Sequence, residues 1–287
     1  MEGRIVSISC GTYSILANGV IYKAPARGLF RMLKVKPLVG DKVQFDENNL
    51  LLTEVFPRTT FLKRPPIANI DQMFIVSSLV EPEFSYLLVF KYLAYANMNG
   101  INAKIILTKK DKFHDQEKLK EIFDTFQTLG IDIYAADNKR GDGIEQIKPL
   151  FADHISCFIG QTGVGKSSLA NAIDPEFSRM VGEYSYALGR GKHETKEVIL
   201  LPYQGGYIAD TPGFSSLDLE LYKEDLAIYF PGFYNLHTDC YFSNCLHLSE
   251  DKCAVKKAIA EKQIPEIAYE CYKKLSSDMI YKAKRYQ

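Results

Sequence analysis

Nothing in this sequence is long and apolar enough to cross a bilayer. The longest apolar stretch, "YLLVFKYLAYA" (86–96), falls short of a membrane span and carries Lys91. The first residues, Met1 to Arg4, lead into short alternating segments rather than a basic region followed by an apolar one, so no signal peptide is expected. A cytoplasmic address without a membrane partner is therefore the expectation. Net charge is also absent, since 35 Lys and Arg balance 35 Asp and Glu. The balance is uneven along the chain: residues 1–64 hold ten basic against five acidic residues, and residues 65–220 fifteen against twenty-one. A basic first block suits phosphate contacts or, equally, an ordinary solvated surface. Repeats and low-complexity segments are missing, and six cysteines are poorly spaced for a disulfide framework. With 46% hydrophobic and 24% charged residues, the 287-residue chain has the composition of a soluble globular protein of two or three domains.

Three regions differ in pattern. Residues 1–64 read as short strands, "GRIVSISC", "TYSILA", "VIYKA", "KVQFD" and "LLTEVF", separated by turn signals such as Asn18-Gly19. This predicts a small barrel. "KRPP" (63–66) reads as an extended linker. From 65 to 220 strand-length apolar runs alternate with helical stretches, which predicts a mostly parallel sheet with helices on both faces. Residues 221–287 turn helical and aromatic.

The sharpest signal is "GQTGVGKS", Gly160 to Ser167, which fits G-x-x-x-x-G-K-[ST] at every fixed position. An apolar strand precedes it and the helical "SLANAI" follows. Glycines let such a loop curl its N–H groups onto phosphate oxygens, Lys166 brings charge to the outer phosphates, and Ser167 offers its hydroxyl to Mg²⁺. Gly160, Gln161, Thr162, Gly163, Val164, Gly165, Lys166, Ser167 and Ser168 are the candidate phosphate-binding residues. This loop alone does not separate GTP from ATP. "YIADTPG" (207–213) places Asp210 at a strand end, suited to a magnesium-bound water, and Gly213 where its N–H can meet a terminal phosphate. "TKKD" (108–111) closes the apolar run "AKIIL". Asp111 can accept from guanine N1–H and N2–H, a donor pair that adenine lacks, and Lys109 can lay its stem over the base. Taken alone, T-K-x-D is as often a helix cap.

The order TKKD, GQTGVGKSS, DTPGF reverses the usual order of nucleotide motifs. With the flanking blocks it resembles the circularly permuted GTPases of the RsgA/YjeQ family over essentially the whole chain; "PRTTFLKRP" (57–65) is similar to that family's barrel exit. The resemblance implies a multi-domain protein: an N-terminal OB-type β-barrel (1–64), a central α/β P-loop GTPase domain, circularly permuted (65–220), and a C-terminal helical zinc-binding domain (221–287). It implies GTP as ligand, held by Thr108, Lys109 and Asp111 besides the phosphate loop and Gly213. It implies Mg²⁺ held by Ser167, Thr195 and Asp210. Departures exist: Thr108 stands where many GTPases have Asn, Asp137 occupies a serine position in "AADNKRGDG" (135–143), and Glu194 replaces a threonine in "GRGKHET" (189–195). Phe214 stands near where many GTPases carry a water-orienting glutamine. His193 is the candidate for that role, set against an idle surface histidine, and with Lys166 it forms the catalytic pair.

"CYFSNCLHLSEDKC" supplies Cys240, Cys245, His247 and Cys253. Three thiolates and an imidazole close one tetrahedral Zn²⁺ site per chain, with no open position for catalysis; reduced core cysteines are the duller alternative. The helices that follow interleave tyrosines with lysines, a pattern that suits RNA or a solvated face. The function implied is a monomeric GTP hydrolase that binds the small (30S) ribosomal subunit and its 16S-type rRNA late in maturation, GTP and GDP governing binding and release. The rival is an RNA-binding module in which nucleotide is a passive affinity switch.

Overall fold

The computed structural model describes residues 1–9, 11–25, 36–63, 65–187, 198–210 and 221–280, with the side chains of 183–187 left aside. Two compact units divide the chain. The first comprises Met1–Met73, Asn138–Phe158 and Lys166–Ser215, the second Phe74–Asp137, Ile159–Gly165 and Ser216–Gln287. Among the described residues no helix is long and apolar enough to cross a membrane.

The first unit opens with five strands: β1 (Glu2–Ser9), β2 (Thr12–Ala17), β3 (Val20–Pro25), β4 (Lys42–Asp46) and β5 (Leu51–Val55). They form an antiparallel sheet of order β3-β2-β1-β4-β5. The outer strands β3 and β5 approach each other, which curls the sheet into the barrel. Strand alternation supplies its core: Ile5, Ile15, Val43, Phe45 and Leu52 are fully or almost fully buried. The prolines expected to make a linker instead open a hairpin. β6 (Phe61–Lys63) pairs with β7 (Pro66–Ala68), Lys63 opposite Pro66. Pro66 is the first residue of its strand, where a missing N–H costs no ladder bond.

The same unit holds β11 (Ile155–Ile159) up to Phe158, β12 (Ile199–Tyr203) and β13 (Gly206–Asp210). β11 runs parallel to β13, and β13 antiparallel to β12, with Asp210 opposite Ile199 and Tyr203 opposite Gly206. Every residue of β11 is buried, as a two-sided parallel strand requires. Pro202 is tolerated because β12 is an edge strand. Helices α3 (Ile144–Ile147), α4 (Lys166–Ile173) and α5 (Phe177–Ala187) also fall here. α3 is only four residues long, giving way to a 3₁₀ turn over Lys148–Phe151 where Pro149 withholds an N–H.

The second unit holds most of β8 (Gln72–Ser78), with β9 (Asn102–Thr108) and β10 (Ile133–Ala135). β9 and β10 are parallel. Between β8 and β9 runs α1 (Tyr86–Met98), capped by Ser85, whose hydroxyl accepts from Leu88 N–H. Val89, Phe90 and Tyr92 to Ala96 are all buried, because α9 (Glu266–Asp278) and α6 (Lys223–Tyr229) pack on α1. α2 (Gln116–Thr128) is amphipathic; Asp115 accepts from Lys118 N–H at 2.9 Å as its N-cap. The short helices α7 (Tyr234–His237) and α8 (Ala254–Ala260) flank the cysteine cluster.

Candidate nucleotide and metal sites

The phosphate loop begins where the buried strand β11 ends. Gly160 has φ +152°, and a Cβ there would lie 2.1 Å from the carbonyl oxygen of Val76. Only glycine fits, since backbone cannot yield to a methyl. Gly163 (φ +84°) and Gly165 (φ +95°) complete the curl, and α4 starts at Lys166. Thr162, Gly163, Ser167 and Ser168 are exposed and Gln161 is half-buried, whereas Val164 turns its side chain into the core. Burial lowers the pKa of Lys166, because desolvation penalises its charged form.

Two segments distant in sequence meet this loop within the second unit. Thr108, the last residue of β9, is fully buried; its hydroxyl donates to the carbonyl of Val164 at 2.5 Å. That bond ties the end of β9 to the phosphate loop. Lys109 adopts a left-handed backbone (φ +59°) and its ammonium donates to the carbonyl of Glu81, which fixes the stem in place. Asp111 sits half-buried in the 3₁₀ turn Lys110–Lys112. The loop after β10 joins them: Ala136 N–H donates to Leu107 O at 2.8 Å, and Ala136 O accepts from Lys110 N–H. Asp137, next in line, is 3% exposed, so its side chain is buried beside this junction.

Asp210 ends β13 half-buried, and burial raises its carboxyl pKa above the usual range. A nearby cation would restore its ionised form. Gly213, His193 and Thr195 lie outside the described residues.

The metal cluster is compact. The donor atoms of Cys240, Cys245, His247 and Cys253 all lie within 4.8 Å of one another. Nδ1 of His247 is 3.6 Å from Cys240 Sγ and 3.3 Å from Cys253 Sγ, and the two sulfurs are 3.9 Å apart. A tetrahedron with Zn–S near 2.3 Å and Zn–N near 2.0 Å has edges of about 3.5–3.8 Å, so the residues present fit zinc. His247 is fully buried and its pKa falls to about 4, mainly by burial, which leaves a neutral imidazole ready to ligate. Its other nitrogen, Nε2, lies 3.0 Å from the carbonyl of Ala227 in α6, the orienting bond that ligating histidines ordinarily make. The loop has a second layer of support that the ligand spacing did not reveal. Glu250 accepts from Leu246 and Leu248 N–H at 2.6 and 2.8 Å, Tyr269 donates to His247 O at 2.7 Å, and Tyr272 donates to Leu246 O. Tyr272 is 0% exposed, so this tyrosine of the lysine-interleaved helix serves the core rather than an RNA-stacking face.

Comparison with known proteins agrees with this arrangement. A family model described as RsgA GTPase matches residues 55–220, and one described as RsgA N-terminal domain matches residues 2–50. The chain belongs to the RsgA family. It is 38% identical to a "Small ribosomal subunit biogenesis GTPase RsgA" of Geobacillus sp. (strain WCH70), covering 99% of each chain. The relative of that name in Bacillus subtilis (strain 168) is also 38% identical, again over 99% of both. A solved structure titled as YloQ, a circularly permuted GTPase, superposes with TM-score 0.81 at 35% identity, covering 97% of this chain and 94% of that one. YjeQ from Thermotoga maritima gives TM-score 0.83 at 32% identity over 97% and 98%. The protein is thus a GTP hydrolase with a permuted nucleotide-binding domain, and the family's motif order explains why TKKD precedes the phosphate loop.

Proposed function

We propose that this chain binds the small ribosomal subunit through its 16S-type rRNA late in maturation, working as a cytoplasmic monomer, and that hydrolysis of GTP to GDP and phosphate permits its release. The observation that carries this reading is the meeting of three segments, 107–111, 135–137 and 160–165, in one unit. Relatives named for small-subunit biogenesis, alike over the full length, supply the partner.

Each residue then has a task. Asp111 selects guanine through the N1–H and N2–H donor pair, and the Lys109 stem, tethered at Glu81, lines the base. The loop amides and Lys166 hold the phosphates. Ser167, Asp210 and Thr195 would hold Mg²⁺, which when bound offsets negative charge on the phosphate oxygens. His193 orients the attacking water in the absence of a glutamine after Gly213. Zn²⁺ at the Cys₃His cluster is structural. Residues 211–220 lead directly into α6, whose Ala227 carbonyl holds the ligand His247. Release of the backbone at Gly213 on phosphate loss therefore has a direct covalent route to the zinc-binding region.

The test is GTP hydrolysis with and without purified small subunits, combined with co-sedimentation in a non-hydrolysable analogue against GDP. Stimulated turnover and analogue-dependent binding support the reading. A hydrolysis-dead variant that still completes subunit maturation favours the passive affinity switch instead. A His193→Ala chain that hydrolyses GTP at the unaltered rate, alone and with subunits, removes the histidine's role.

A further inference from the structure

Arg4, on the first barrel strand, spends its charge in an unusual way. Among the described residues no carboxylate pairs with it. Its Nη1 donates to the carbonyl of Gly40 at 2.7 Å, and its guanidinium carbon lies 5.5 Å above the ring of Tyr207. The Gly40 end is firmly built. Gly40 N–H donates to Ile5 O at 2.8 Å, Asn69 Nδ2 donates to the same Gly40 carbonyl at 3.0 Å, and Ile5 N–H donates to Asp41 O at 3.0 Å. A Cβ on Gly40 would lie 2.0 Å from Ala68 O, so the backbone there is closely held. Arg4 is thus aimed rather than free to sweep.

Its target is placed with equal definition. Tyr207 stands three residues before Asp210 on β13, and Asp210 pairs with Ile199 at the start of β12, against which β1 also packs. The hairpin 198–210 is the covalent bridge between residues 188–197 and 211–220, the two segments that carry the sequence candidates His193, Thr195 and Gly213. A guanidinium over an aromatic face is attracted to the ring while leaving the strand's hydrogen bonds intact, so it can fix the hairpin's lie without entering the nucleotide site.

We infer that Arg4 is a positioning residue for GTP hydrolysis: through Tyr207 it fixes the β12–β13 hairpin on the barrel and so sets where the Asp210 carboxylate stands. The inference rests on the reading of Asp210 as the magnesium-side carboxylate. One consequence is that the barrel is part of the hydrolytic apparatus, and a ligand that shifts the barrel shifts the metal requirement at Asp210. By reciprocity, metal and nucleotide occupancy alter the barrel's affinity for its own ligand.

The experiment measures GTP hydrolysis against Mg²⁺ concentration in full-length wild type, Arg4→Ala, Arg4→Lys, Tyr207→Leu, the double variant Arg4→Ala/Tyr207→Leu and Asp210→Asn. Thermal melts are recorded for each, and GDP affinity is measured without metal. Arg4→Ala and Tyr207→Leu are expected to raise the half-saturating Mg²⁺ concentration about fivefold or more. Metal-free GDP affinity should stay within about twofold, since the coupling runs through the metal carboxylate. The double variant should be no worse than either single one, because both remove the same link. Arg4→Lys keeps a cation over the ring and should recover much of the response. If Arg4→Ala fails to fold, Tyr207→Leu and Arg4→Lys carry the comparison. Unchanged Mg²⁺ dependence in Arg4→Ala or Tyr207→Leu, additive effects in the double variant, or Arg4→Lys as impaired as Arg4→Ala overturns the inference. An unchanged Asp210→Asn profile overturns the underlying reading of Asp210 instead; a shifted Asp210→Asn beside a normal Arg4→Ala removes Arg4 alone.

Discussion

The hydroxyl of Thr108 and the carbonyl of Val164 form a 2.5 Å hydrogen bond in a fully buried setting, joining the base-reading strand end to the phosphate loop. Burial excludes water as a substitute donor, so loss of the hydroxyl leaves a carbonyl unsatisfied. Thr108→Val preserves shape and should cost about 1–3 kcal/mol in stability. It should also weaken guanine nucleotide binding, because Val164 lies inside the loop that receives the phosphates. Thr108→Asn retains a donor at the same place and should recover part of both losses. Chemical denaturation and titration with a fluorescent GDP analogue check this; a Thr108→Val protein indistinguishable in both would contradict it.

The guanine selection proposed for Asp111 has a chemical signature. Asn at this position offers an amide donor where guanine N2–H needs an acceptor, while xanthine presents a carbonyl there. Asp111→Asn should lose GTP affinity by about a hundredfold or more and gain preference for xanthosine triphosphate. Competition titrations with the two nucleotides decide the matter, and unchanged preference would remove Asp111 from the base site.

How much of this was legible in the sequence follows physical lines. Motifs whose chemistry needs fixed residue types at fixed spacing, such as Gly160 to Ser167 or the Cys₃His cluster, could be read directly. So could the strands of the barrel and the amphipathic helix read over 115–130, which forms over Gln116–Thr128 with Leu119, Ile122 and Phe126 buried. Long-range contacts were not legible. No local pattern links Thr108 to Val164, 56 residues away, or tells that Tyr272 faces inward to the zinc loop. The helix at α1 was legible as an apolar stretch closing near Gly100, but the faces it buries were not, since it is buried on several sides and presents no stripe. The hairpin at 61–68 hid behind its prolines, because a strand that starts on proline looks like a linker.

Zinc removal should act on the region after residue 221 rather than on the barrel. Three buried or half-buried thiols and a buried imidazole converge with no other covalent tie among the described residues. Chelation, or Cys245→Ser, should lower the melting temperature and expose the α6–α9 amides to hydrogen exchange while the barrel amides keep their protection. Tyr272→Phe tests the supporting layer. It should bind zinc at unchanged stoichiometry, lose about 1 kcal/mol of stability and release the metal faster to a competing chelator. Release at the wild-type rate would show the Leu246 contact to be idle.

The barrel holds a buried ion pair. Asp41 is 0% exposed, and its carboxylate accepts from Arg58 Nε at 2.7 Å, Arg58 Nη2 at 2.8 Å and Leu38 N–H at 2.7 Å. The fork geometry satisfies both oxygens, and the same Nη2 also reaches Lys36 O. Removing the arginine alone strands a buried charge, so Arg58→Met should cost about 3–5 kcal/mol. Asp41→Asn/Arg58→Met removes the charge as well and should cost clearly less than the sum of the two single changes. The effect should also reach the hydrolytic site through Gly40, whose carbonyl anchors Arg4: Arg58→Met should raise the Mg²⁺ requirement in the same direction as Arg4→Ala. Urea unfolding and Mg²⁺-dependent hydrolysis of the three proteins test both halves. Additive stabilities would dismiss the pair as a unit, and an unaltered metal requirement would confine its influence to the barrel.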